Sequence, residues 1–219
     1  MRRQLLRLTA ALLAAALGWV LLVSLAPGSW VATWAPCPRN LAWGPTWAPR
    51  VSPLTALRID LSGGAAKLCY GQPSLKGREM LGGVVPNDRI WRLGANEPTT
   101  LHINRLVRLG ELVLAPGSYS LYAIPGAREW EIRVNRSIRQ WGLESEYTDE
   151  IQEREIGRVR VPATRLDAPV EKMTFHVEPA AIGTVDLVFE WQNTTWRLLL
   201  DTSPGGESFE GGAPPAPES

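Results

Sequence analysis

Leu114-Ala115-Pro116-Gly117-Ser118-Tyr119-Ser120-Leu121-Tyr122-Ala123-Ile124-Pro125-Gly126, with Trp130-Glu131-Ile132-Arg133-Val134 close behind, is the stretch that decides the fold. Proline and glycine stand side by side at 116 and 117, as a type II turn wants them, and again at 125 and 126. Between and after these breaks the residues alternate, so the chain reads turn, strand, turn, strand within about 20 residues, which is hairpin spacing. Working outward, Leu57-Arg58-Ile59-Asp60-Leu61 and Leu101-His102-Ile103-Asn104 keep the same period of two. So do Glu155 to Val161, Met173 to Val177, Val185 to Trp191 and Thr195 to Leu200. About eight to ten such short runs, and no helical periodicity beyond residue 53, predict an all-β domain: an antiparallel two-sheet sandwich or jelly roll. The chief interruption is 136–150, where one helical turn or a loop surrounds Gln140-Trp141-Gly142.

The N-terminus has a different character. Arg2, Arg3 and Arg7 precede Leu8 to Ala26, 19 residues without a charge. At about 1.5 Å rise per residue a helix of that length covers roughly 28 Å, close to the ~30 Å hydrocarbon thickness of a bilayer. The competing reading is a cleaved signal, whose apolar core is typically about 7–15 residues. Pro27 makes a poor cleavage junction after Ser24-Leu25-Ala26, and Pro36 spoils a lipobox before Cys37. Residues 1–26 are therefore expected to be a retained transmembrane anchor, with the arginines on the cytoplasmic side and the rest of the chain exported. The location implied is a cytoplasmic membrane, crossed once. Trp30 and Trp34 suit the headgroup zone, or pack on the domain itself. Residues 27–53, with Pro36, Pro38, Pro45, Pro49 and Pro53, read as an extended tether; 54–202 is the folded domain, and 203–219 is too poor in apolar residues to fold. Cys37 and Cys69 could form a disulfide in an oxidising compartment, or remain one buried and one exposed thiol.

With 23 basic and 22 acidic residues the formal charge is +1, which offers nucleic acid no attractive field. The densest polar cluster lies between Tyr70 and Thr100. Lys76, Arg78 and Arg92 supply donors, Glu97 an acceptor, Ser74, Asn96 and Thr99 neutral groups, and Trp91 a stacking platform. These residues form the candidate ligand site, suited to a sugar or a carboxylate. The structural alternative is an Arg92–Glu97 ion pair, Asn96 in a turn and Trp91 in the core. His102 and His176 lie in strand patterns with no nucleophile motif beside either, so no catalytic residue is assigned. The cysteines and histidines make no recognisable metal set, and Gly63-Gly64 and Gly82-Gly83 lack nucleotide-binding spacing, so neither metal nor cofactor is expected.

Three stretches carry a family resemblance: Pro73-Ser74-Leu75-Lys76-Gly77-Arg78, Trp91-Arg92-Leu93-Gly94-Ala95-Asn96-Glu97 and Leu114 to Leu121, with an echo in Gln140-Trp141-Gly142. Over about Ser52 to Leu200 the chain resembles the domain-of-unknown-function 2911 family of bacterial exported proteins. Gln72 departs from that pattern, in which arginine usually precedes the Pro-Ser pair. The resemblance implies an exported β-rich domain and no established activity. The function expected is thus a membrane-anchored, non-enzymatic module that binds a small ligand or a protein. The alternatives are a carbohydrate-active hydrolase or isomerase using Glu97 with Lys76 or Arg78, and an accessory subunit of a membrane complex packed through the small residues between Ala10 and Gly18.

Overall fold

The computed structural model describes residues 28–38 and 50–202. The elements are α1 (Gly28–Trp34), β1 (Leu54–Leu61), β2 (Gly64–Gly71), β3 (Thr99–Ile103), β4 (Val107–Leu109), β5 (Leu112–Leu114), β6 (Gly117–Ile124) and β7 (Glu129–Asn135). A 3-10 turn (Glu144–Glu146), α2 (Asp149–Gln152), β8 (Glu155–Pro179) and β9 (Thr184–Asp201) complete the described chain. Every strand pairing is antiparallel, in the order β1-β2-β3-β6-β7-β8-β9-β4-β5. The all-β expectation therefore stands, but as one continuous sheet folded into two layers rather than two separate sheets.

The fold line runs through β8. Its residues up to Pro162 pair with β7, and from Ala163 onward it pairs with β9. For this reason the runs Glu155–Val161 and Met173–Val177 belong to one strand, and Val185–Trp191 and Thr195–Leu200 to another. The polar residues between them mark bulges, not turns. The register of β8 against β9 shifts between Arg165 and Val170 and again between Val170 and Thr174, with Pro169 inside the first shift, where no ladder donor is needed. Across the fold, Tyr70 of β2 meets Phe175 of β8 edge-on at 4.8 Å, and Trp130 of β7 meets Trp196 of β9 at 6.2 Å. These rings, with Leu68, Leu101, Leu121, Ile132 and Phe189, make the shared core.

The proline-glycine reading at 116–117 needs correction. Gly117 does not adopt the left-handed conformation that a type II turn requires; it opens β6. The Tyr119 ring lies close over Gly117, 3.1–3.3 Å from where a Cβ would stand, with the Tyr119 hydroxyl donating to Ala115 O at 2.7 Å.

The tether is not uniformly extended either. Between Pro27 and Pro36 it holds no proline, so Gly28 to Trp34 are free to form α1, and Pro36 bars the helix from continuing. On one face of β2, two residues apart, Lys67 and Cys69 hold this helix. Lys67 Nζ donates to Ala32 O and Ala35 O, carbonyls that the helix end leaves without partners. Cys69 is disulfide-bonded to Cys37, with 5.7 Å between their Cα atoms. Residues 1–27, 39–49 and 203–219, which include the anchor run, much of the tether and the tail, lie outside the described residues. Among the described residues, no helix is long and apolar enough to cross a membrane.

Candidate functional site

A few contacts fix the course of the 72–98 connection between β2 and β3. Gln72 Nε2 donates to Met173 O at 3.0 Å, and Ser74 bridges to Lys172, which ties the start of the connection to β8. Gln192, held in a left-handed conformation at the β9 bulge, accepts from Met80 N and Leu81 N at 2.8 and 3.0 Å. Trp91 pairs with Ala123 through both backbone groups at 2.8 Å, which adds a bridge beside β6.

The eight expected ligand residues do not converge. Lys76 is exposed, with its N–H donating to Glu171 Oε1 at 2.9 Å. Arg78 folds back onto its own turn, donating to Leu75 O and Ser74 O at 3.1 and 3.2 Å. Asn96, also left-handed, donates to Ser52 O at 3.1 Å, and buried Thr99 donates to Leu93 O at 2.6 Å. Glu97 is ion-paired with Arg50, and Arg92 lies 3.3 Å from Glu144, so the expected Arg92–Glu97 pair is replaced by two others. Trp91 is core: it is 4% exposed, stacks on Trp191 at 5.8 Å and donates through its indole to Gly94 O at 3.2 Å.

The motif stretches instead mesh with each other. Gly142 N donates to Asn96 O at 3.1 Å, Gly142 O accepts from Arg92 Nη1 at 3.2 Å, and a Cβ on Gly142 would stand 2.3 Å from Asn96 O. Gln140 Nε2 donates to the Tyr122 hydroxyl at 2.9 Å, and burial pushes that phenol up to about 12. Gly71 is equally constrained, since a Cβ there would lie 1.8 Å from Ala95 O.

Only Arg78, Trp91 and Arg92 of the expected set border a cleft, one of about 740 Å³. Met80, Val85, Trp91 and Trp191 supply apolar walls, and Arg78, Arg89, Arg92 and Glu144 supply the charge. Val51, Val84 and Leu143 also line it, with 79%, 60% and 40% of their surface exposed. Sequence reasoning missed Trp191, Met80, Arg89, Leu143 and Glu144. A usable signal was present in Val84-Val85, an apolar pair inside an otherwise polar, glycine-rich stretch.

The histidines stand apart from this cleft. His102 is buried on β3 between Thr100 Oγ1 at 3.2 Å and Ser118 Oγ at 2.7 Å; burial, then the Lys67 charge, pushes its pKa down to about 4. His176 lies 3.2 Å from Glu178 on the surface of β8. Among the described residues no group of three His, Cys, Asp or Glu is arranged to hold a metal ion. The cleft can accordingly hold an apolar body and present cations to it. No curated protein and no solved structure matches the chain. Residues 52–200 match the family described as "Protein of unknown function (DUF2911)", and the chain belongs to that family.

Proposed function

We propose that this chain is a membrane-anchored, extracytoplasmic, non-enzymatic β-sandwich module that binds a small molecule in the cleft walled by Trp91 and Trp191. The observation that carries the reading is the mouth of that cleft. Three of the exposed large apolar side chains, Val51, Val84 and Leu143, line this one opening above buried aromatic residues. Scattered exposed apolar residues are ordinary, but a cluster around a concavity marks a binding surface. A volume of about 740 Å³ falls within the range of small-molecule sites, roughly 300–1,000 Å³. The dispersal of Lys76, Arg78 and Glu97 speaks against the hydrolase or isomerase reading, which requires them around one substrate. Anchorage and export rest on the uncharged run Leu8–Ala26 and on the exposed Trp30 and Trp34 that follow it.

The test is native mass spectrometry of the full chain extracted from its membrane, compared with Val85→Trp, which fills the cleft. The wild type should retain a small-molecule adduct and the filled variant, folded by circular dichroism, should lose it. A ligand-free wild type, or equal retention by both, counts against the reading.

A further inference from the structure

Among the described residues the sheet has two edges, β1 and β5. A sheet edge presents N–H and C=O groups that no neighbouring strand takes up, a ready template for another strand. Short length, proline, bulges and charge are the usual devices that keep an edge from pairing. β5 is only three residues long, whereas β1 runs for eight in unbroken register with β2, without proline or bulge. Its one device is charge, in Arg58 and Asp60.

Which backbone groups face outward follows from the ladder. Gln72 N donates to Pro53 O at 2.8 Å, one step beyond the Leu54–Gly71 pair, so Pro53 and then every second residue, Thr55, Leu57, Ile59 and Leu61, bond to β2. The N–H and C=O groups of Ala56, Arg58 and Asp60 therefore point away from β2, and all three residues are exposed.

Charge then selects the partner. Leu57-Arg58-Ile59-Asp60-Leu61 complements itself when turned end for end: laid antiparallel about Ile59, a second copy sets Arg58 against Asp60 and Asp60 against Arg58, with Leu57 against Leu61. Both charged pairs fall on residues whose backbone groups point outward, so each pair can also exchange its two N–H···O bonds. The nearest registers that keep those groups facing, centred on Arg58 or on Asp60, would set like charges directly opposite each other. An antiparallel pair of this kind has its twofold axis normal to the sheet, so both copies of α1, which packs over β2, β3 and β6, end on one face of the joined sheet. Two chains anchored in one membrane as proposed above can thus meet with both anchors on the same side, and the bilayer raises their effective concentration.

We infer that β1 is the interface of an isologous dimer, in which a second copy of this chain pairs edge to edge about Ile59. No residue of β1 lines the cleft, so the two surfaces can be tested apart.

Native mass spectrometry of the full chain ejected from lipid vesicles counts the copies directly, and the wild type should appear as a dimer. Arg58→Asp opposes acid to acid at both pairs and Asp60→Arg opposes base to base, so either alone should lower the dimer-to-monomer ratio roughly 10-fold or more. An equimolar mixture of the two variants should regain the dimer as a mixed species with one chain of each, because every opposed pair is again acid to base. A monomeric wild type overturns the dimer, and slow deuterium exchange at the Arg58 and Asp60 amides of that monomer would assign the edge to the chain's own 39–49 stretch. A dimer that survives both reversals is held elsewhere, by the anchor helices for instance, and overturns the β1 interface. Loss of the dimer in each variant with no recovery on mixing overturns the pairing of Arg58 with Asp60.

Discussion

His102 faces Lys67 across the β2–β3 ladder, on the same face that carries Cys69 and Thr100. Ser118 and Ser120 continue this polar ladder onto β6, and α1 packs over the three strands. Alternation of apolar and polar residues is normally the mark of a sheet with one wet face, yet β3 is buried throughout because the helix covers its polar side. Covering His102 is what lowers its pKa from 6.5 to about 4. The sign of the consequence follows from proton counting. Between pH 6.5 and 4 the unfolded chain binds a proton that the folded chain refuses. Stability is therefore complete above pH 6.5 and falls as pH drops through that window, by on the order of 3 kcal/mol over its whole width. In His102→Gln the hydrogen-bonding capacity is retained and the titration is removed. Urea unfolding at pH 7.5, 6, 5 and 4 should show the wild type losing ground relative to this variant at each acid step. Parallel curves would mean that His102 is not the group responsible.

At the scale of elements, α1 is too short to persist by itself, since isolated helices below about 12–15 residues are marginal in water. It is held by the Cys37–Cys69 bond and by Lys67 at its C-terminal carbonyls. Closing a loop across a sequence separation of 32 residues restricts the unfolded chain by about 3–4 kcal/mol in the loop-entropy account. The double variant Cys37→Ser with Cys69→Ser should lose stability of that order in chemical unfolding and become open to limited proteolysis around Trp30 and Trp34. It should also lose the acid-dependent step assigned to His102, because releasing α1 exposes the ladder to water. A variant as stable and as protease-resistant as the wild type would show that the packing of α1, not the cross-link, carries the cost.

For the molecule as a whole, the strands were legible because period-two alternation survives wherever one face meets the core, as in Leu57–Leu61 and Trp130–Val134. The folding of one sheet on itself was not legible, because a bulge and a turn both appear in sequence as polar residues with proline or glycine nearby. Pro169 and Gln192 mark continuing strands, whereas Pro125-Gly126 lies in a true connection. The candidate site was legible in location and not in membership. Polar residues such as Asn96 and Thr99 turned out to hold the 72–98 connection in place, while Trp191 and Glu144 come from elsewhere in the chain. The position of α1 then constrains the molecule's attitude to a bilayer. If Leu8–Ala26 spans the membrane as proposed, α1 begins two residues after it and is fastened to β2, so the domain has little freedom to swing away. Trp30 and Trp34, about half exposed, are then placed at the headgroups, with Arg58 5.1 Å from the Trp34 ring and available to lipid phosphate. A photoreactive benzoylphenylalanine at position 30 or 34 of the full chain in vesicles should cross-link to lipid. The same group at position 182, fully exposed on the β8–β9 connection in the other layer, should not. Equal lipid labelling at 182, or none at 30 and 34, would mean that the α1 side of the sandwich does not face the membrane.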